Sequence, residues 1–157
     1  MRDSLKLIIS LAIPQVVGLT GALATASGVR NWYPALAKPG FTPPGWVFGP
    51  AWTLLYLLMG IALWLVWREA DRSENVRPAL MAFAVQLALN ALWSFVFFGL
   101  RMPGAALAEI ILLWGAILLT IVLFRKVSRL AALLLVPYWL WVSFAAVLNA
   151  SIWLLNR

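Results

Sequence analysis

The chain has no cysteine and no histidine among its 157 residues. The first absence excludes a disulfide, a thiol nucleophile and a thiolate metal ligand. The second removes the commonest metal ligand and the one side chain that ordinarily titrates near neutral pH. No metal site is therefore expected, and a haem iron would find only weak Met or Tyr ligands. Acidic residues are scarce too: Asp3, Glu69, Asp71, Glu74 and Glu109 are the full set, and only Glu109 falls within an apolar run. With no carboxylate dyad for hydrolysis or general acid–base work, a conventional enzyme is not expected.

Apolar residues fill the space instead. They make up 64% of the chain, and charged residues 11%, against roughly half and about a quarter in a soluble domain. The excess is arranged in blocks over 5–26, 45–67, 79–100, 104–124 and 130–155. Each is close to the ~20 residues that cross a ~30 Å hydrocarbon core as helix. Helices satisfy their own backbone groups in lipid, which open strands cannot do. The expectation is an all-α integral membrane protein, one domain over 1–157, with five transmembrane helices in a single bundle. Ala22-Leu23-Ala24 looks like a signal-peptide cleavage site. Yet the run before it is long and is interrupted by Pro14, Gln15 and Thr20, so the first block is read as a retained span.

The net charge of +7 does not point to nucleic acid, because the basic residues sit at the ends of the blocks. Arg2, Lys6, Arg68, Arg72, Arg77, Arg125, Lys126 and Arg129 lie on one side; Arg30, Lys38, Arg101 and Arg157 lie on the other. The positive-inside rule puts the N-terminus in the cytoplasm and the C-terminus outside, on the assumption of a bacterial-type inner membrane.

Polar and aromatic residues inside spans are costly and line up on faces. Gln86, Asn90, Trp93 and Phe97 share one face of the third span. Trp52, Tyr56 and Met59 do so in the second, and Tyr138, Trp141, Ala145 and Asn149 in the fifth. With ~1.5 Å of rise per residue, Trp52, Asn90 and Trp141 lie roughly 10, 15 and 20 Å below the same membrane face. Three stripes at overlapping depth are expected to wall one cavity opening toward the 27–44 segment. Glu109 is expected to pair with Arg101. Gly18 and Ala22 form a small-xxx-small pair suited to close packing within the bundle. Ala84, Ala88 and Ala91, on the far side of the third span from its polar face, are expected to form the seam of a homodimer.

The segment "KPGFTPPGW" (38–46) is stiff and aromatic. Its prolines restrict the backbone, so it can hold one shape at low entropic cost. Lys38, Pro39, Phe41, Pro43 and Pro44 are expected to form a lid within the 27–44 loop.

Three stretches, "WYPALAKPGFTPPGWVFGPAWTLLY" (32–56), "QLALNALWSFVFFG" (86–99) and "PYWLWVSFAAVLN" (137–149), together resemble the translocator protein family, also called tryptophan-rich sensory proteins or peripheral-type benzodiazepine receptors. The resemblance implies a five-helix bundle, commonly dimeric, that binds protoporphyrin IX, haem and other flat lipophilic ligands. Carried over residue by residue, the pocket would include Trp32, Tyr33, Trp46, Trp52, Asn90, Trp93, Trp141 and Ala145. Light-dependent porphyrin degradation in some relatives implicates two tryptophans that match Trp52 and Trp141. Phe41 stands where many relatives carry a tryptophan, and the tyrosine of the sterol-recognition pattern is missing from "LNASIWLLNR". Three functions follow as expectations: a binding protein for tetrapyrroles, needing no cofactor of its own; a transporter of such molecules; or a light-dependent porphyrin-degrading enzyme.

Overall fold

A computed structural model describes residues 2–157 and contains only helices and short connections among them. Helix α1 spans Asp3–Ser27, α2 Gly45–Trp67, α3 Val76–Ser94, α4 Pro103–Arg125 and α5 Arg129–Leu155. All five are long and apolar enough to cross a membrane, and the chain is an integral membrane protein.

Local chemistry marks the helix starts. Pro44 precedes α2, and Pro103 opens α4, where its missing N–H costs nothing. Ser128 caps α5 by accepting a hydrogen bond from the Ala131 N–H at 3.3 Å. The α3–α4 turn places Arg101 at a φ of 58°, the left-handed conformation that lets so short a connection reverse direction.

One boundary differs from the sequence expectation. Helical structure does not stop at residue 26. It continues as a π turn over Gly28–Trp32 and a 3₁₀ turn over Tyr33–Ala35, so the irregular part of the 27–44 segment is only 36–44. The cause is packing: Gly28 lies directly against the Phe98 carbonyl, with no room for a Cβ. Phe98 itself belongs to a second π turn, Phe95–Gly99, that ends α3.

Neighbour contacts run α1–α2–α5–α4–α3 and back to α1, closing a ring, with α2 also touching α3 across it. Met59, Ala62, Val66, Phe83, Ile117, Phe124 and Leu135 form the main core in the half of the bundle away from residues 36–44. There α1 and α2 are tied together. The Lys6 Nζ donates to the Trp67 carbonyl at 3.3 Å, and the Trp64 Nε1 donates to Asp3 at 3.1 Å. Gly60 admits the backbone of Ser10 and Leu11. Gly18 packs against the Tyr56 ring, whereas Ala22 is exposed, so of the small-xxx-small pair only the glycine serves close helix contact within the bundle.

The Glu109–Arg101 pair does not form; among the described residues the only ion pairs are those of Glu69 with Arg68 and Arg72. Glu109 lies two turns into α4 on the face it buries, with Ala106, Ile110 and Leu113. Arg101 is exposed in the turn. The helix therefore carries the carboxyl inward, away from the guanidinium.

Candidate functional site

The half of the bundle next to residues 36–44 holds a cavity of about 440 Å³. Nine of its 22 lining residues are tryptophan, tyrosine or phenylalanine, and they carry the largest side chains of the wall. Trp52 and Tyr56 come from α2, Trp93 and Phe97 from the end of α3, and Trp141, Ala145 and Asn149 from α5; Tyr33 reaches in from the extension of α1. The three stripes inferred from helical spacing thus meet around one space, because α2, α3 and α5 bring those faces together.

The rings brace one another. Trp52 stacks on Tyr56 with centroids 5.4 Å apart and planes at 30°, and Trp93 stacks on Phe97 in the same manner at 5.4 Å. Trp141 meets Phe48 edge-on at 6.0 Å. Such contacts hold the walls in one arrangement before any ligand arrives.

Amide groups hold the helices at the right spacing. Tyr56 donates its hydroxyl to the Asn90 Oδ1 at 2.8 Å, and the Asn90 Nδ2 donates to the Tyr138 hydroxyl at 3.1 Å. One buried asparagine therefore ties α2, α3 and α5 together. Higher up, the Trp93 Nε1 donates to the Asn149 Oδ1 at 3.1 Å, and the Asn149 Nδ2 donates to the Pro103 carbonyl at 2.8 Å. This second asparagine joins α3, α5 and the start of α4.

Several candidate residues stand elsewhere. Asn90, Tyr138 and Gln86 are buried and do not line the cavity. Gln86 has no hydrogen-bond partner among the described residues. Trp32 supports the wall from behind, edge-on to Phe97 at 5.7 Å. Trp46 is 76% exposed at the first turn of α2 and takes no part in the cavity.

None of Lys38, Pro39, Phe41, Pro43 and Pro44 lines the cavity either. They belong to a roof that is fastened at three points. Lys38 donates to the carbonyls of Tyr33, Pro34 and Leu36 at 2.9, 3.1 and 2.8 Å, and its ammonium lies 5.0 Å from the Tyr33 ring centroid. Asn156, at the end of α5, bonds both the N–H and the carbonyl of Ala37. Phe41 sits edge-on to Phe144 at 6.3 Å.

The sequence reading passed over the contribution of α1. Gln15, Gly18, Leu19, Ala22, Thr25 and Val29 all face the cavity. Their three- and four-residue spacing is a helical face of mostly small or polar side chains, a signal as legible as the aromatic stripes. Phe48 and Phe144 were missed because a single phenylalanine in an apolar run carries no pattern, and Phe98 because it falls off the 86–90–93–97 face of its helix.

The sequence matches the model of the TspO/MBR family over residues 10–154. It is 47% identical over 152 residues to the tryptophan-rich protein TspO of Archaeoglobus fulgidus, covering 97% of each chain. It is similar to the human translocator protein, 44% identical over 127 residues, covering 80% of this chain and 75% of the human one. A tryptophan-rich sensory protein of Cereibacter sphaeroides is 39% identical over 139 residues, covering 87% of this chain and 85% of that one.

Proposed function

The chain belongs to the TspO/MBR family, and from that premise we propose that it binds tetrapyrroles, protoporphyrin IX or haem among them, within the membrane. The observation that carries this reading is the cavity wall of Trp52, Trp93, Trp141, Tyr33, Phe48 and Phe97. A flat conjugated macrocycle gains large apolar contact and ring stacking in such a space. The volume of about 440 Å³ falls in the usual ~300–1,000 Å³ range of small-molecule sites. Charge for a ligand carboxylate comes from Arg30, exposed and next to the cavity-lining Val29. Lys38 is already spent on three carbonyls.

Haem would be held by its ring and its carboxylates, since the chain offers no histidine or cysteine for iron. The macrocycle supplies the light absorption; the protein supplies the slot, its apolar walls and the braced ring geometry.

A second reading, light-dependent porphyrin degradation, is favoured by one observation: Trp52 and Trp141 both line the cavity. With Trp93 they bring three readily oxidised indoles to the wall. A transporter reading draws only on the name of relatives such as the human translocator protein. We propose that, in a bacterial-type inner membrane, the N-terminus lies in the cytoplasm and the C-terminus outside, on the distribution of basic residues.

The test is titration of purified protein in lipid nanodiscs with protoporphyrin IX, followed by quenching of tryptophan fluorescence. Saturable quenching that Trp93→Ala weakens at least tenfold supports the reading. Linear, unsaturable quenching overturns it.

A further inference from the structure

The cavity ends short of the 36–44 segment and is open at one side. No residue from 34 to 47 lines it; its upper wall is Tyr33, Phe48 and Ile152, and the roof segment above that wall is bonded to the Tyr33 turn and to Asn156. Around the wall, exposure is uneven. Phe97, Asn149 and Ile152, from the α3 and α5 side, are 1–2% exposed. Leu19 of α1 is 62% exposed, and Ala22, Gly49 and Thr53 are exposed as well. A residue that lines a cavity and also faces the exterior marks its opening. That opening lies between α1 and α2, well inside the spans and thus at the depth of lipid chains.

The gap has a structural cause. At the far end, α1 and α2 are pinned by Lys6 on Trp67, Trp64 on Asp3, and Gly60 on the backbone of Ser10 and Leu11. At the roof end α1 turns to a different neighbour. Gly28 lies against the Phe98 carbonyl, and Tyr33 sits edge-on to Phe98 at 5.5 Å. Fastened together at one end and to different partners at the other, the two helices leave the cavity-lining Leu19, Ala22, Gly49 and Thr53 exposed between them. The foot of this gap is closed by Gly18 against the Tyr56 ring and by one hydrogen bond, from the Gln15 Nε2 to the Thr53 carbonyl at 3.3 Å. Its α2 edge is bare, because a side chain at Gly49 would stand in open space. Helix α1 is also the least embedded of the five: 11% of its apolar stretch is buried, against 28–39% in the others.

We infer that lipophilic ligands load and leave sideways, from the hydrocarbon of the leaflet on the roof side, through the gap between α1 and α2. The inference rests on the reading of the cavity as a tetrapyrrole site. A ligand dissolved in the bilayer reaches the gap without first being transferred to water, which apolar surface opposes. Passage through the roof parts Ala37 from Asn156, which bonds both of its backbone groups, and Lys38 from the Tyr33 and Pro34 carbonyls; passage through the gap disturbs one hydrogen bond.

The absence of cysteine makes the test clean. One variant carries Ala37→Cys and Asn156→Cys, so that a short bis-maleimide locks the roof. A second carries Ala22→Cys and Gly49→Cys, so that the same reagent locks the gap. Each is reconstituted in phosphatidylcholine vesicles, and protoporphyrin IX uptake is timed by tryptophan quenching. The roof-locked protein is expected to load within twofold of the unmodified rate, and the gap-locked protein more than tenfold slower. Protein loaded before the gap is locked should release its porphyrin more than tenfold slower as well, which separates a blocked route from a damaged cavity. Slowing by the roof lock, or no slowing by the gap lock in either direction, overturns the lateral route. Failure of the unmodified protein to take up porphyrin instead overturns the reading of the cavity, and the route falls with it.

Discussion

Asn156 and Ala37 lie 119 residues apart in sequence, yet one side chain bonds both backbone groups of the other residue. The Asn156 Oδ1 accepts from the Ala37 N–H at 3.0 Å, and its Nδ2 donates to the Ala37 carbonyl at 2.9 Å. The end of α5 thereby completes the backbone pairing of a segment with no regular structure of its own.

Asn156→Ala removes both bonds. Each such bond contributes about 0.5–1.5 kcal/mol net, so the roof should open locally by roughly tenfold more while the bundle persists. Hydrogen exchange at Ala37 and its neighbours checks this. Unchanged protection over 36–44 would show that Lys38 and Phe41 hold the roof alone.

Trp52→Phe and Trp141→Phe are each expected to reduce light-dependent porphyrin loss more than porphyrin affinity. Phenylalanine keeps much of the apolar contact but loses the indole and its easier oxidation. The decay of the porphyrin absorption band in light and in darkness, beside a titration of each variant, measures the two effects. Parallel losses would make the tryptophans walls only, and an unmodified protein with no light-dependent loss would end the degradation reading.

Asn90→Leu strands the hydroxyls of Tyr56 and Tyr138, which share that amide. A buried polar group left without a partner costs about 1–3 kcal/mol. The melting temperature in detergent should fall, and Tyr138→Phe placed in the same background should recover part of it. No change in melting would mean that the amide does not join α2, α3 and α5 energetically.

We propose that a second copy docks at Ala84, Ala88 and Ala91. With Ile13, Val17 and Leu63 these residues line an apolar groove on the outside of α1, α2 and α3. Small side chains permit the close backbone approach that associates helices in lipid. Ala88→Leu is expected to shift the protein toward monomer. Light scattering in detergent reads the mass, and an unchanged mass puts any seam elsewhere.

Five spans, their approximate limits and the aromatic faces of α2, α3 and α5 were legible in the sequence for a plain reason. Hydrocarbon demands about twenty apolar residues per crossing, and helical spacing then decides which residues share a face. Two asparagines and three stripes were enough to foresee one shared cavity, but its mouth was expected toward the 27–44 segment, whereas its exposed lining residues lie between α1 and α2. What each polar group does there depended on the tertiary structure. Asn90 faces the stripe of α3, yet its amide is spent on two tyrosines from other helices. Lys38 sits in the lid segment but turns back on its own turn, because the carbonyls of Tyr33, Pro34 and Leu36 lie within its reach. Glu109 points into the packed face of α4, which no sequence neighbour of Arg101 could reveal. The direction in which the cavity opens was decided by packing alone: α1 follows Gly28 to α3 at one end and Gly60 to α2 at the other, and only the three-dimensional course of that helix leaves a gap beside Leu19 and Gly49.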